Sequence, residues 1–383
     1  MIKKLKLTFC GGTGIVTGAN FLLETVAPEK PFRILVDCGM VQGEMTYEHG
    51  VRADANRVPF PYDPKEIDVL LVTHSHIDHV GRIGKLVREG FRGTIYSTPE
   101  TRRLAEVMME DCVHVLGNEA QREGVLPIYE EKDVAAAFPL WRTIPYHQDF
   151  DLSNGFSAYL KDAGHVLGST IYEISYNGKK IAFTGDLGNT PSPLLKDTEP
   201  VTDATYMVME SVYGDRNHEP KEERDRKFAD IVKASIARKS TLIIPAFSLE
   251  RTQVIIYQLE KLMAANAIPK VPVYVDSPLA IKVTRIYRDL AEKDFNEKAK
   301  NMISGGQKML EFGSLHFIET AEAEAEKQEW KKLGIVTPAR MKRMADVQFI
   351  SELMSVTIRG AIEGFDLGGC EFCRYSNLLS YMR

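Results

Sequence analysis

Val69-Leu70-Leu71-Val72-Thr73-His74-Ser75-His76-Ile77-Asp78-His79 is the stretch on which the fold turns. Its first four residues are an unbroken apolar run behind Asp68, the pattern of a buried strand covered on both faces. Such a strand hands its next residues to a sheet edge, which is where ligands bind in α/β sheets. Three imidazoles and a carboxylate then follow within six residues. His74 and His76 are two apart, so on extended backbone they point the same way and can grip one ion. Asp78 and His79 follow on the turn and reach a second position. A polar turn with solvated histidines would account for a lone His. Four ligand-type residues at this spacing point to a metal site, and imidazole mixed with carboxylate suits zinc-like ions.

Around this loop, 383 residues suffice for two domains with cores of their own, and 44% apolar with 26% charged residues is ordinary globular composition. The start, Met1 to Phe9, alternates polar and apolar residues like a first strand and lacks the long apolar core of a signal peptide. No apolar run elsewhere approaches membrane-spanning length. The expectation is a soluble, cytoplasmic protein with no membrane partner. Cys10, Cys38, Cys112, Cys370 and Cys373 are odd in number and scattered, which fits a reducing compartment better than a disulfide framework. The pair Cys370 and Cys373 has no second pair to complete a metal site and reads as incidental. A net charge of −5 gives no global basic footprint, so a nucleic-acid contact must come from a local groove or from the metals.

Other strand ends carry further ligand types. Arg33-Ile34-Leu35-Val36 runs into Asp37-Cys38-Gly39-Met40, where Asp37 can orient a water at the metal or a ligand imidazole, or can simply cap the turn. The Gly-rich segments 10–14 and 16–18 read as tight turns beside the site. From Pro99 to about Leu140 the pattern is helical, with Leu104, Val107, Met108, Cys112 and Val115 on a core-facing stripe. His114 beside that stripe and His147 in a turn are not read as ligands. In Ala163-Gly164-His165-Val166-Leu167-Gly168-Ser169, glycines leave room for close backbone approach and His165 supplies a third imidazole. Lys180 to Thr184 is a further strand that ends in Gly185-Asp186-Leu187-Gly188, and a carboxylate there can give one oxygen to each of two cations.

Taken in order, Asp37, the loop from Thr73 to His79, His165 and Asp186 resemble the four ligand motifs of the metallo-β-lactamase superfamily. The resemblance implies a four-layered αββα sandwich and two zinc ions. His74, His76 and His165 would hold one, Asp78 and His79 the other, and Asp186 would bridge them. Downstream, Tyr206 to Met209 runs into Glu210-Ser211-Val212-Tyr213, Leu242 to Ile244 into Pro245-Ala246-Phe247-Ser248-Leu249-Glu250-Arg251, and Val271 to Val275 into Asp276-Ser277-Pro278. A repeat of strand, polar turn and amphipathic helix, such as Thr252 to Met263, indicates a second α/β domain with a parallel sheet. These stretches, with Val16-Thr17-Gly18 and Gly39 to Gly43, resemble the β-CASP branch, which includes the cleavage and polyadenylation nuclease, RNase J and Artemis. The expected architecture is therefore α/β: a metallo-β-lactamase αββα sandwich over residues 1–208, an inserted β-CASP α/β domain over 209–333, and an atypical tail over 334–383. In the branch the second domain caps the metal face and forms a groove for a nucleic-acid strand, and Glu210 falls on its first motif.

The resemblance runs from Leu5 to about Glu326. Members of the branch continue with a His pair in a helix and a Ser-x-His segment that returns to the first domain and supplies a last zinc ligand and a histidine acting with the motif's Glu. Here Lys331 to Arg383 contains no histidine, and His316 stands in the strand-like Leu315-His316-Phe317. The tail is accordingly expected to be altered, by a frame change upstream of about Gly334, with a weaker second zinc and lowered activity.

The expected function is a zinc-dependent ribonuclease that hydrolyses phosphodiester bonds of single-stranded RNA in RNA processing, with DNA left open and a homodimer left open as its assembly. Two ions roughly 3.5–4 Å apart would activate a shared water and clamp the phosphate. Asp37, Asp78 and Asp186 would serve the hydroxide and its metals, and Glu210 would orient water or sugar. Ser248 and Arg251, at the start of the helix after Pro245, would contact substrate phosphate. Two other classes share these features: a hydrolase of small thioesters or lactones, and an inactive nucleic-acid-binding β-CASP homologue.

Overall fold

The structure is a computed structural model and describes residues 4–26, 30–42, 55–217, 220–318 and 356–358. Strands β1 (Lys4–Gly11), β2 (Asn20–Val26), β3 (Arg33–Val36), β4 (Val69–Leu71), β5 (Thr94–Ser97) and β6 (Trp141–Thr143) form one sheet in sequence order. The first three are antiparallel, and β3 to β6 run parallel. Parallel neighbours need crossovers, and helices supply them. Helices α1 (Ile77–Val80) and α2 (Ile83–Arg88) join β4 to β5, while α3 (Pro99–Glu123) and α4 (Glu131–Ala135) join β5 to β6. A second sheet of β7 (Phe150–Ser153), β8 (Phe156–Asp162), β9 (Thr170–Tyr176), β10 (Lys179–Phe183) and β11 (Tyr206–Val208) is antiparallel except for β11, which pairs parallel with β10.

Period-2 alternation decides what lies between the sheets. Ile34, Val36, Val69 and Leu71 of the first sheet share one buried cluster with Phe156, Leu160, Tyr172, Ile174 and Phe183 of the second. Leu35 and Leu70 between them face the other way and are equally buried, which is why the β4 run is apolar throughout. Aromatic pairs seal the seam: Phe32 stacks on Phe156 at 5.7 Å between ring centroids, and the Tyr172 hydroxyl donates to the Tyr96 carbonyl at 2.9 Å.

Helix α3 buries Leu104, Met108 and Cys112, with His114 exposed. It stops well short of Leu140, because Gly124 takes the left-handed conformation (φ 68°) that closes a helix.

The chain divides into two compact units. Among the described residues, one reaches Asp215 and takes in Ile286–Gly306; the other comprises Arg216–Arg285 and residues from Gln307 onward. The second unit holds α5 (Lys221–Ala237), α6 (Arg251–Ala264), the start of α7 (Pro278–Asp294), and the strands β12 (Val273–Val275), β13 (Leu315–Phe317) and β14 (Val356–Ile358). The end of α7 and α8 (Glu297–Ser304) lie in the first. In the second unit's sheet, β12 pairs parallel with β13 and antiparallel with β14, so the sheet is mixed rather than parallel throughout. Leu242 to Ile244, expected as a strand, shows a single-residue β-bridge at Leu242 and joins none of the three sheets among the described residues. The tail expected to be altered lies outside the described residues except for β14. No helix among the described residues is long and apolar enough to cross a membrane.

Candidate metal centre

Each candidate ligand follows the end of a strand. The β4 end delivers His74, His76, Asp78 and His79; the β8 end delivers His165 and the β10 end Asp186. The loops lock to one another through backbone. Gly188 N donates to Ala163 O at 2.9 Å and Thr170 N to Thr73 O at 2.8 Å. Gly188 has to be glycine, because a Cβ there would lie 1.9 Å from the Gly164 carbonyl oxygen.

The side chains converge in two groups. His74 Nε2 and His165 Nε2 lie 3.1 and 3.2 Å from His76 Nδ1, and 3.9 and 3.6 Å from Asp186 Oδ2. On the other side His79 Nε2 is 3.2 Å from Asp186 Oδ1 and 4.0 Å from Asp78 Oδ2. Ligand atoms of His74, His76, His165 and Asp186 lie within 4.8 Å of one another, as do those of Asp78, His79 and Asp186. Asp186 belongs to both groups, one oxygen to each. Bonds of about 2.0–2.1 Å to a tetrahedral ion imply nitrogen separations of about 3.3 Å, close to those found here. The donor set and its spacing therefore fit a zinc-type ion in the first group and a second cation beside it.

Electrostatics separates the roles. Burial, then the neighbouring His79 imidazole, pushes His74 well below the usual imidazole range, so it stands neutral with a lone pair to give. Burial works against a charged His79, yet Asp186, Asp37 and Asp78 outweigh it and lift its pKa well above the ordinary value. Burial would likewise raise Asp186, but the imidazoles of His79, His74 and His165 hold its carboxyl well below the usual range. Burial raises Asp78 to about 6. Before any metal binds, the second group thus carries a proton on His79.

Asp37 reaches the site through His79. It is fully buried, with Oδ1 accepting from Thr73 N at 2.8 Å and Oδ2 from Thr73 Oγ1 and from His79 Nδ1, both at 2.8 Å. Of the two targets the sequence left open, the carboxylate is hydrogen-bonded to the imidazole. The bond fixes the tautomer in which Nδ1 carries hydrogen and Nε2 faces Asp186. Thr73, which sequence reasoning passed over, is the hub. Its hydroxyl also lies 3.1 Å from His74 Nδ1 and 3.3 Å from His79 Nδ1. Its position between the strand and His74 was the available signal.

Glu210 stands directly behind Asp186. Its carboxylate accepts from Leu187 N at 3.2 Å and from Val212 N at 3.3 Å, which is the loop-capping arrangement. In the second unit Ser248 is buried, with Oγ 3.4 Å from Ser277 Oγ, so its hydroxyl faces protein. Arg251 is half-buried and opens α6, whose cap residue Glu250 has φ +64°. His147 pairs with Glu199 at 2.7 Å, away from the ligand groups.

Two family models match the chain in succession. A metallo-beta-lactamase superfamily domain matches residues 27–212 and a Beta-Casp domain residues 252–355. The chain is 34% identical over 313 residues to ribonuclease TTHA0252 of Thermus thermophilus, covering 82% of this chain and 67% of that protein. It is 31% identical over 318 residues to transcription termination factor FttA of Methanosarcina mazei (79% of this chain, 46% of that protein). To cleavage and polyadenylation specificity factor subunit 3-I of Arabidopsis thaliana it is 28% identical over 276 residues (71% and 38%). It spans less than half the length of the latter two. Fold and site together define a mixed α/β protein with a metal-binding hydrolase domain. The chain belongs to the β-CASP branch of the metallo-β-lactamase superfamily.

Proposed function

We propose that this chain is a metal-dependent ribonuclease that holds two zinc ions and hydrolyses phosphodiester bonds of single-stranded RNA. The observation that carries the reading is the pair of ligand groups sharing Asp186. Ribonuclease TTHA0252, with which the chain aligns over both matched domains, supports RNA over a thioester or lactone. When bound, two zinc ions supply Lewis acidity that lowers the pKa of water and neutralises charge on a phosphate.

The chain's own residues supply the rest. His74, His76 and His165 would give their nitrogens to one ion. Asp186, kept ionised by its imidazole neighbours, gives one oxygen to each side. Asp37 holds His79 with Nε2 turned inward, where a metal would take the place of its proton, and Asp78 would complete that second set. Glu210 stiffens the turn after Asp186 through its bond from Leu187 N, so its carboxylate positions the bridging residue. Arg251, the first residue of α6, contributes a phosphate contact through its guanidinium, which favours a bidentate anion.

The test is a cleavage assay on labelled single-stranded RNA and DNA and on a thioester. RNA cleavage abolished by EDTA and restored by zinc is the expected result. Thioester turnover without RNA cleavage would replace the reading with the small-molecule one. RNA binding by zinc-loaded protein without cleavage would make the chain a binding homologue.

A further inference from the structure

Asp37 adopts φ +58°, a left-handed conformation that a residue with a side chain keeps only when its surroundings hold it there. The holding groups are identifiable. Three successive carbonyls of the turn, those of Asp37, Cys38 and Gly39, accept from Asn20 Nδ2 at 3.1 Å, from Arg82 N at 2.8 Å and from Arg82 Nε. One residue thus supplies two of the three donors.

Arg82 is only 6% exposed, and no carboxylate among the described residues forms an ion pair with it. Its guanidinium lies 5.2 Å from the centre of the Phe60 ring. Taking a guanidinium out of water without a counter-charge is costly, so its retention calls for a reason beyond filling space. The chain position gives one. Arg82 precedes α2 and follows α1, the turn that carries Asp78 and His79. It therefore ties the Asp37 turn to the end of the metal loop, and Cys38 N to His79 O at 2.8 Å and Met40 N to Ile77 O at 3.0 Å complete the seam.

We propose that Arg82 is a positioning residue for the second metal group: it holds the Asp37 turn so that the carboxylate meets His79 Nδ1 and turns Nε2 toward Asp186. The inference rests on the two-metal reading only for which site it serves. Its action is selective, because His79 belongs to the second group alone, while His76 and His165 hang from other contacts. Lysine cannot substitute, since an ammonium lacks an Nε at the depth that reaches Gly39 O.

Lys85 provides the control. It is also buried, sits 4.6 Å from the same Phe60 ring, and donates to Val58 O without touching the Asp37 turn. Full-length parent, Arg82→Lys and Lys85→Met are titrated with zinc against a competing chelator. In the metal-free proteins the hydrogen-bonded His79 Nδ1–H is followed by proton NMR. Arg82→Lys is expected to weaken the looser zinc by about 10–100-fold, to spare the tighter one, and to lose the Nδ1–H resonance. Lys85→Met should keep both zincs and the resonance. The proposal is overturned if Arg82→Lys retains the resonance and the looser zinc, if both zincs weaken equally, or if Lys85→Met behaves the same at equal thermal stability. A parent that takes up no zinc would sink the two-metal reading instead, and the NMR resonance would still decide whether Arg82 positions His79.

Discussion

Replacing Asp37 with Asn removes one charge and adds no bulk, yet it should cripple the second metal group. In the parent, the two carboxylate oxygens accept three hydrogen bonds, from Thr73 N, Thr73 Oγ1 and His79 Nδ1. An amide has a single accepting oxygen. If that oxygen keeps Thr73 N, the NH2 group faces Thr73 Oγ1 and His79 Nδ1. The threonine hydroxyl can rotate and accept, but the imidazole can accept only by moving its proton to Nε2. Nε2 is the atom 3.2 Å from Asp186 Oδ1, and a protonated nitrogen has no lone pair for a metal. Loss of an orienting partner of this kind lowers metal affinity by about 10–100-fold, which corresponds to roughly 1.4–2.7 kcal/mol. A buried hydrogen bond to a charged group is worth about 1.5–3 kcal/mol, so the two routes agree. Chelator-competition titration of D37N should show the looser zinc weakened by that factor and the tighter one nearly unchanged, since only Thr73 links Asp37 to His74. Thermal melts in EDTA check that the protein is still folded. An unchanged affinity for the looser zinc in a folded D37N protein would refute the tautomer argument.

Further outcomes follow from the structure. His76→Ala removes the nitrogen that both His74 and His165 face, so elemental analysis should find the three-imidazole zinc missing; equal zinc in variant and parent would contradict the ligand set. Zinc binding to the second group should go on strengthening as pH rises past the ordinary imidazole value of about 6.5, because His79 holds its proton well above that value and the metal must displace it. By the same sign, the His79 contribution to metal-free stability is complete below about pH 6.5 and is lost as pH rises through the higher folded pKa, which titration calorimetry and melts against pH would show. Arg251→Ala should weaken RNA binding and reduce its salt slope by about 1, read by fluorescence anisotropy at several salt concentrations; an unaltered slope counts against a phosphate contact. Phe156→Ala, which empties the space between Phe32 and Tyr176, should destabilise the first unit by about 3–5 kcal/mol in urea unfolding.

The legible part of this protein was what lies close together along the chain. A buried strand and the ligands after it share eleven consecutive residues, so period and spacing revealed His74, His76, Asp78 and His79 together. His165 and Asp186 were visible as ligand types at strand ends, and the resemblance gave them partners. Contacts between distant segments were not legible. Asp37 and His79 are 42 residues apart, and they meet only because β3 and β4 pair in the register Val36 with Leu71, which sets Asp37 beside Thr73. The same distance hid Arg82, whose donors serve a turn 43 residues earlier. Ser248 read as an open hydroxyl before a helix, but Ser277 arrives from another segment and covers it. Sequence alone thus determined which residue types stand at the strand ends, because alternation and spacing are local properties of the backbone. Tertiary structure decided which of them orient the others, because strand register and loop packing select each hydrogen-bond partner from across the chain.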